Sequence, residues 1–135
     1  MAENHKIFTL NIDVRFRDLD AMGHVNNAVF FTYFELGRIG FSQINPQMGQ
    51  NFILAHVSCD YIRPVMLENQ LTLHMWINRI GTKSFGFQYQ LVDRSAETIE
   101  YATGESVQVF FDYGKNSSME IPEGLRESLA EYLPG

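Results

Sequence analysis

Asn27-Ala28-Val29-Phe30-Phe31-Thr32-Tyr33-Phe34-Glu35-Leu36-Gly37-Arg38-Ile39-Gly40-Phe41 is the stretch whose reading decides the fold. Past the opening asparagine, its polar side chains Thr32, Glu35 and Arg38 recur at every third position. In a helix they form one narrow stripe on an otherwise apolar cylinder, so the helix should be wrapped on most sides. Gly37 and Gly40 would let a neighbouring element approach closely, at some loss of helix propensity. Upstream, residues 6–16 alternate, with Phe8, Leu10, Ile12 and Val14 on one face, the pattern of a strand. Strand and helix are joined by Arg17-Asp18-Leu19-Asp20-Ala21-Met22-Gly23-His24-Val25-Asn26-Asn27, a loop dense in carboxylate, imidazole and carboxamide.

Downstream the period changes from helical to alternating. Residues 42–51 read as a loop, with Asn45-Pro46 and Gly49 as breakers. Four strand candidates follow. Residues 52–61 are rather continuously apolar; residues 70–80 align Leu71, Leu73, Met75 and Ile77; residues 84–92 align Phe85, Phe87, Tyr89 and Leu91. Residues 98–113 place Ile99, Tyr101, Thr103, Val107, Val109 and Phe111 on one side. Gly81-Thr82-Lys83 and residues 93–97 supply the turns, and residues from 120 onward suit a short helix through Leu125, Leu129 and Leu133. A strand, a long helix and four strands on short turns imply a single α+β domain over residues 1–135. Its antiparallel sheet of about five strands would curl around the central helix. Such a sheet leaves an edge open, which predicts a homodimer or homotetramer.

Composition narrows the function classes. A chain of 135 residues with 45% apolar and 19% charged residues is an ordinary globular domain, and eleven Phe with six Tyr imply a bulky aromatic interior or an apolar pocket. The net charge of −6, without any basic run, argues against nucleic acid as a partner. An anionic substrate would need a local patch from Arg63, Arg79, Lys83 or Arg94. One cysteine, Cys59, permits no internal disulfide and reads as a buried structural thiol. No signal-like segment and no run long enough to span a bilayer occur, so membrane insertion is not expected and a cytoplasmic location is. The four histidines show no metal-ligand spacing, and no metal or cofactor is implied.

The loop carries the chemistry. A helix start presents unpaired N–H groups and a positive dipole end, suited to an oxygen that is becoming negative. Asp20 just upstream supplies a nucleophile or a general base, and the two together outline an acyl-transfer site. Asp18 reads as a structural partner of Arg15, Arg17 or loop amides. His24 could orient Asp20, bind substrate or hold the loop. Asn26 is the expected N-cap, with Asn27 acting through its backbone. Glu35 and Arg38 are expected to pair at i,i+3.

These residues resemble the hotdog-fold thioesterases, the family typified by hydroxybenzoyl-coenzyme A thioesterase and its bacterial short-chain acyl-CoA relatives. The resemblance rests on Val14-Arg15-Phe16-Arg17-Asp18-Leu19-Asp20, Gly23-His24-Val25-Asn26-Asn27, and Tyr33-Phe34-Glu35 with Arg38. Asp60-Tyr61-Ile62-Arg63-Pro64-Val65 and Gly81-Thr82-Lys83-Ser84-Phe85 support it more weakly. It implies an acyl-CoA thioesterase in which Asp20 is the catalytic carboxylate and the N–H at Asn27 polarises the thioester carbonyl. His24 would belong to the same site. It further implies that Asn26, Tyr33, Arg63, Lys83 and Ser84 contact substrate, Arg63, Lys83 and Ser84 at the nucleotide and pantetheine ends. Some relatives carry His where Asn27 stands. The plant acyl-carrier-protein thioesterases place an Asn where this chain has Met22, which favours coenzyme A esters over carrier-protein esters. An acyl-carrier-protein thioesterase and a non-hydrolytic acyl-thioester-binding protein are the alternatives at this point.

Overall fold

The computed structural model describes residues 5–49 and 51–135. Strand β1 (Phe8–Asp13) leads through a 3₁₀ turn at Phe16–Asp18 to helix α1 (Val29–Ile44). Strands β2 (Phe52–Tyr61), β3 (Gln70–Ile80), β4 (Ser84–Asp93) and β5 (Glu100–Asp112) follow, then a two-residue β6 (Ser117–Ser118) and α2 (Glu123–Ala130). The strands form one antiparallel sheet in the order β1-β3-β4-β5-β2, with β6 on the end of β5. β1 and β2 are therefore its edges. The sheet curls as a half-barrel against α1, the expected α+β hotdog architecture.

The expected elements form, with shifted ends. β1 stops at Asp13 rather than 16, because Arg15 and Asp18 close the 3₁₀ turn on each other. Helix α1 begins at Val29 and continues to Ile44, beyond 41, until Asn45-Pro46 breaks it. Among the described residues no helix is long and apolar enough to cross a membrane.

Aromatic packing holds α1 to the sheet. Phe34 stacks on Tyr89 with centroids 4.3 Å apart and planes 9° from parallel. Phe41 meets Phe87 edge-on at 4.9 Å, and Phe8 reaches Phe41 from β1 at 5.8 Å. The inner faces of β3 (Leu71, Leu73, Met75, Ile77) and β4 (Phe85, Phe87, Tyr89, Leu91) are those that the alternation marked, and all are fully buried.

β5 differs. Of the face expected from Ile99, Tyr101, Thr103, Val107, Val109 and Phe111, only Tyr101 is buried; past it the buried residues are Ala102, Gly104, Ser106, Gln108 and Phe110, on the other face. The helix presents the Phe34 ring at Gly104, so the strand can carry no side chain there. A Cβ on Gly104 would lie 2.5 Å from the Ser58 carbonyl oxygen and 2.6 Å from the Phe34 ring. The period of two is kept, but volume complementarity rather than hydrophobicity decides which face points inward.

The wrapping of α1 is also narrower than expected. Leu36, Ile39 and Ile44 are 43%, 51% and 57% exposed, so the outward side of the helix is apolar and uncovered in the single chain. Edge strand β2 likewise exposes Ile53 and Leu54 at 37% and 41%.

The Gly104 contact gives a sharp test. Gly104→Ala should destabilise the protein by about 2 kcal/mol or more, because the backbone of Ser58 cannot yield as a side chain can. Gly37→Ala should cost less, since its added Cβ meets the movable side chains of Met75 and Leu73. Equilibrium urea unfolding of both variants checks the order.

Candidate active site

Asp18 anchors the loop. It is 1% exposed, and its carboxylate accepts the Arg15 N–H at 2.9 Å and the Tyr33 hydroxyl at 2.8 Å on one oxygen. The Arg15 guanidinium donates to the other oxygen at 2.9 and 3.2 Å. Burial pushes the carboxyl pKa up, but these hydrogen bonds together outweigh it and leave the value below the ordinary 3.8. Burial first, and then the bond to Asp18, raises the Tyr33 hydroxyl well above its usual range. Tyr33, expected at the substrate, is thus 1% exposed with its hydroxyl engaged by Asp18.

From Asp18 the loop folds into a small hairpin. The Asn26 N–H donates to the Asp18 carbonyl at 2.9 Å and the Asp20 N–H to the His24 carbonyl at 2.7 Å, with Leu19 and Val25 bridged between them. Gly23 turns the tip at φ +83°, a conformation other residues adopt with strain. Val25 donates to the Val65 carbonyl at 2.8 Å and so ties the hairpin to the segment after β2.

This fold sets the state of Asp20. Its Oδ1 accepts the N–H groups of Met22 at 2.9 Å and His24 at 3.1 Å. Oδ2 has no donor among the described residues and remains available. His24 contacts Asp20 through its backbone; no hydrogen bond joins its imidazole to the carboxylate.

The helix start is equally selective. The Asn26 side-chain Oδ1 accepts the Ala28 N–H at 2.9 Å, and its carbonyl accepts Val29 at 2.9 Å. Asn26 thereby caps the approach to the helix through an Asx-type turn, two residues before the position flanking α1, which Ala28 occupies. Phe30 and Phe31 donate to the Asn27 and Ala28 carbonyls at 3.3 and 3.2 Å. From Asn26 to Phe31, the N–H of Asn27 is the one without a partner among the described residues. A backbone donor at a helix start with no internal acceptor suits a developing oxyanion.

Asp20, His24, Asn27 and Arg63 line one cleft of about 240 Å³, together with Phe30 and Tyr61. Tyr61 is the residue that sequence reasoning passed over as a site residue. Its hydroxyl donates to the Asn27 carbonyl at 2.8 Å and its ring meets Phe30 edge-on at 5.0 Å, so the end of β2 fixes the helix start. The only signal was its place in the block running to Val65.

Lys83 and Ser84 lie elsewhere. Ser84 stands opposite Val109 on β5, whereas Tyr61 stands opposite Ala102. The two positions are therefore about 23 Å apart along that strand. Within one chain Lys83 and Ser84 do not join the cleft, and Ser84 accepts a hydrogen bond from Arg79 at 3.1 Å. Arg94 is engaged too, bracing the end of β1 through Ile12, Asp13 and Leu71. Cys59 is half-buried rather than fully buried, and burial pushes its thiol up to about 11, which makes it a poor nucleophile.

Residues 14–129 match the thioesterase-like superfamily, a span that takes in the hairpin, the helix and the whole β2–β5 sheet. The chain belongs to that superfamily. Within it, the chain is 30% identical over 112 residues to the uncharacterized protein YsmA of Bacillus subtilis (strain 168), covering 80% of this chain and 76% of that one. It is 25% identical over 124 residues to a 1,4-dihydroxy-2-naphthoyl-CoA hydrolase of Nostoc punctiforme, covering 86% and 82%. The solved structure of a Thermus thermophilus thioesterase, complexed with coenzyme A and Zn, superposes with a TM-score of 0.81 at 32% identity, covering 96% and 97%. As a hotdog-fold member of the thioesterase-like superfamily, the protein is a thioester hydrolase.

The Asp18 anchor is testable apart from catalysis. Asp18→Asn should lower stability at neutral pH by on the order of 2–3 kcal/mol, because it removes a buried charge-assisted acceptor. A carboxylate with a lowered folded pKa stabilises above its ordinary value of 3.8, and that contribution is lost as pH falls through the folded value. The gap between wild type and Asp18→Asn in thermal melts should therefore close as the pH drops below about 3.8.

Proposed function

We propose that this superfamily member hydrolyses acyl-coenzyme A esters at the Asp20 cleft. The observation that carries the reading is the pairing of one uncommitted carboxylate oxygen, Asp20 Oδ2, with one uncommitted helix-start donor, the Asn27 N–H, in the same cleft. Thioester hydrolysis needs both. The carbonyl oxygen gains negative charge as its carbon is attacked, and a fixed N–H at the helix start meets that charge without reorganising. Such a donor is worth on the order of 3 kcal/mol.

Asp20 then acts in one of two ways. Attack by Oδ2 on the carbonyl carbon expels the thiolate of coenzyme A and leaves a mixed anhydride, which water cleaves to the free acid and Asp20. Alternatively, Oδ2 removes a proton from water as that water attacks. In both, Oδ1 stays held by the Met22 and His24 N–H groups, so only one oxygen changes partner. Phe30 and Tyr61 would flank the acyl carbonyl, and Arg63 offers the anionic substrate a cation at the cleft mouth. The coenzyme A complex of the Thermus relative and the acyl-CoA named for the Nostoc enzyme support this substrate class.

The same reading includes a dimer formed along β2. This edge exposes Ile53 and Leu54, and its outer backbone has no strand beside it among the described residues. Antiparallel pairing of two β2 edges about a two-fold axis sets the start of one strand beside the end of the other. The register Ile53–Val109–Ser84 then carries Lys83 and Ser84 of the partner subunit toward the Tyr61 end of this chain's β2. The residues absent from the cleft of one chain would thus be supplied by the second.

Asp20→Asn should reduce kcat on acyl-CoA esters by about a hundredfold or more while leaving thermal stability unchanged, since Asn keeps an acceptor for the Met22 and His24 N–H groups. Retained activity in a folded variant would move the chemistry to another group. Light scattering at micromolar concentration should give at least twice the 15.6 kDa chain mass. A mass near one chain would remove the proposed partner residues from the site.

A further inference from the structure

The helix start that carries the Asn27 N–H is not held by burial, since Asn26, Asn27 and Ala28 are all exposed. Polar side chains of α1 do not align it either. Tyr33 is engaged by Asp18, and Arg38 turns inward to donate to the Tyr89 hydroxyl at 3.0 Å instead of pairing with Glu35. The Asn27 carbonyl accepts the Phe30 N–H at 3.3 Å, a long bond within the first turn of the helix itself. Among the described residues, one hydrogen bond reaches Asn27 from outside the loop and helix, and it is the shorter one: the Tyr61 hydroxyl at 2.8 Å. Burial, and then Cys59 beside it, push that hydroxyl above its usual range, so it remains a donor through neutral pH.

Tyr61 is itself firmly mounted. It stands opposite Ala102 on β5, and the next two N–H groups, of Ile62 and Arg63, both donate to the Tyr101 carbonyl at 2.9 and 3.3 Å. Pro64 follows, its own φ fixed and Arg63 biased by it toward extended backbone. Val65 is fully buried and its carbonyl accepts the Val25 N–H, while Met66 is bridged to His24. Residues 61–66 therefore touch the helix start at one end and the Asp20 hairpin at the other, with β5 as the footing between them. Hairpin and helix are joined directly through Asn26, and this crosspiece braces them a second time.

We infer that residues 61–66 gauge the spacing of the reaction site, with Tyr61 as a positioning residue that sets the Asn27 N–H relative to Asp20 Oδ2. The inference rests on the acyl-transfer reading of the cleft. The Tyr61 hydroxyl holds the carbonyl end of the peptide plane after Asn27, and Asn26 Oδ1 holds the Ala28 N–H at its other end. With that plane fixed, the Asn27 backbone has little rotation left, and its N–H keeps one direction. A carboxylate and an oxyanion donor act together only at a set separation, and a misplacement of about 1 Å can cost on the order of a hundredfold. The Tyr61 ring lines the cleft, whereas its hydroxyl acts through Asn27. Loss of the hydroxyl alone therefore falls on kcat rather than on KM.

Tyr61→Phe removes the hydroxyl and keeps the ring against Phe30. Its thermal melt is compared with wild type, its kcat and KM on an acyl-CoA ester are measured beside those of Asp20→Asn, and backbone ¹⁵N relaxation is recorded without substrate. The folded variant should lose about tenfold or more in kcat with KM within about twofold. The Asn27 order parameter should fall from a rigid value near about 0.85 toward the flexible range below about 0.6, while those of Met22 and His24 stay as in wild type. Activity kept in Tyr61→Phe but lost in Asp20→Asn, a loss confined to KM, or an Asn27 order parameter unchanged by the substitution would each overturn the inference and leave the Asp20 reading standing. Activity kept in both variants would overturn the two together.

Discussion

The face-to-face contact of Phe34 with Tyr89, seated over the side-chain-free backbone of Gly104, fixes α1 on the sheet. Every other group of interest is positioned from it. One helical turn along, Arg38 is carried down onto the Tyr89 hydroxyl. In the other direction Tyr33 is brought to Asp18, and Asp18 in turn pins the start of the hairpin that presents Asp20. A substitution that tilts the helix at Phe34 would therefore disturb two distant clusters at once. Packing and chemistry are coupled here through a rigid rod, and no flexible linkage separates them.

The site is economical in the hydrogen bonds it leaves open. Backbone polar groups near a helix start ordinarily find partners, and five of the six N–H groups from Asn26 to Phe31 do so within the chain. The exception sits across a cleft from a carboxylate with one oxygen committed and one not. Unsatisfied groups of this sort lower stability slightly and are retained where a ligand completes them.

Much of this was legible in the residues. The polar triplet of Thr32, Glu35 and Arg38 marked the helix, and the alternation of Leu71 to Ile77 and of Phe85 to Leu91 marked the inner faces of two strands correctly. Asp20, His24, Asn27 and Arg63 were legible as candidates and converge in space. What failed has a common cause. The face of β5, the inward turn of Arg38 and the hydroxyl link from Tyr61 depend on what stands opposite in three dimensions. Gly104, Ser106 and Gln108 look like weak strand residues until Phe34 and Tyr89 are placed against them. Likewise, Glu35 and Arg38 look like a surface pair until Tyr89 supplies a competing acceptor. The exposed side of α1 shows the same limit, since hydrophobic periodicity reports that a face is apolar and not what covers it.

Tyr61 has a mechanical consequence. It is the last residue of an edge strand, and its hydroxyl grips the carbonyl of Asn27, whose own N–H is the uncommitted donor. A strand added to the β2 edge would stiffen that grip, and loss of such a strand would loosen it. The alignment of the donor is thus set partly from outside the helix, by the tension of a border strand. The alignment of one backbone donor and the state of a sheet edge are two ends of one lever.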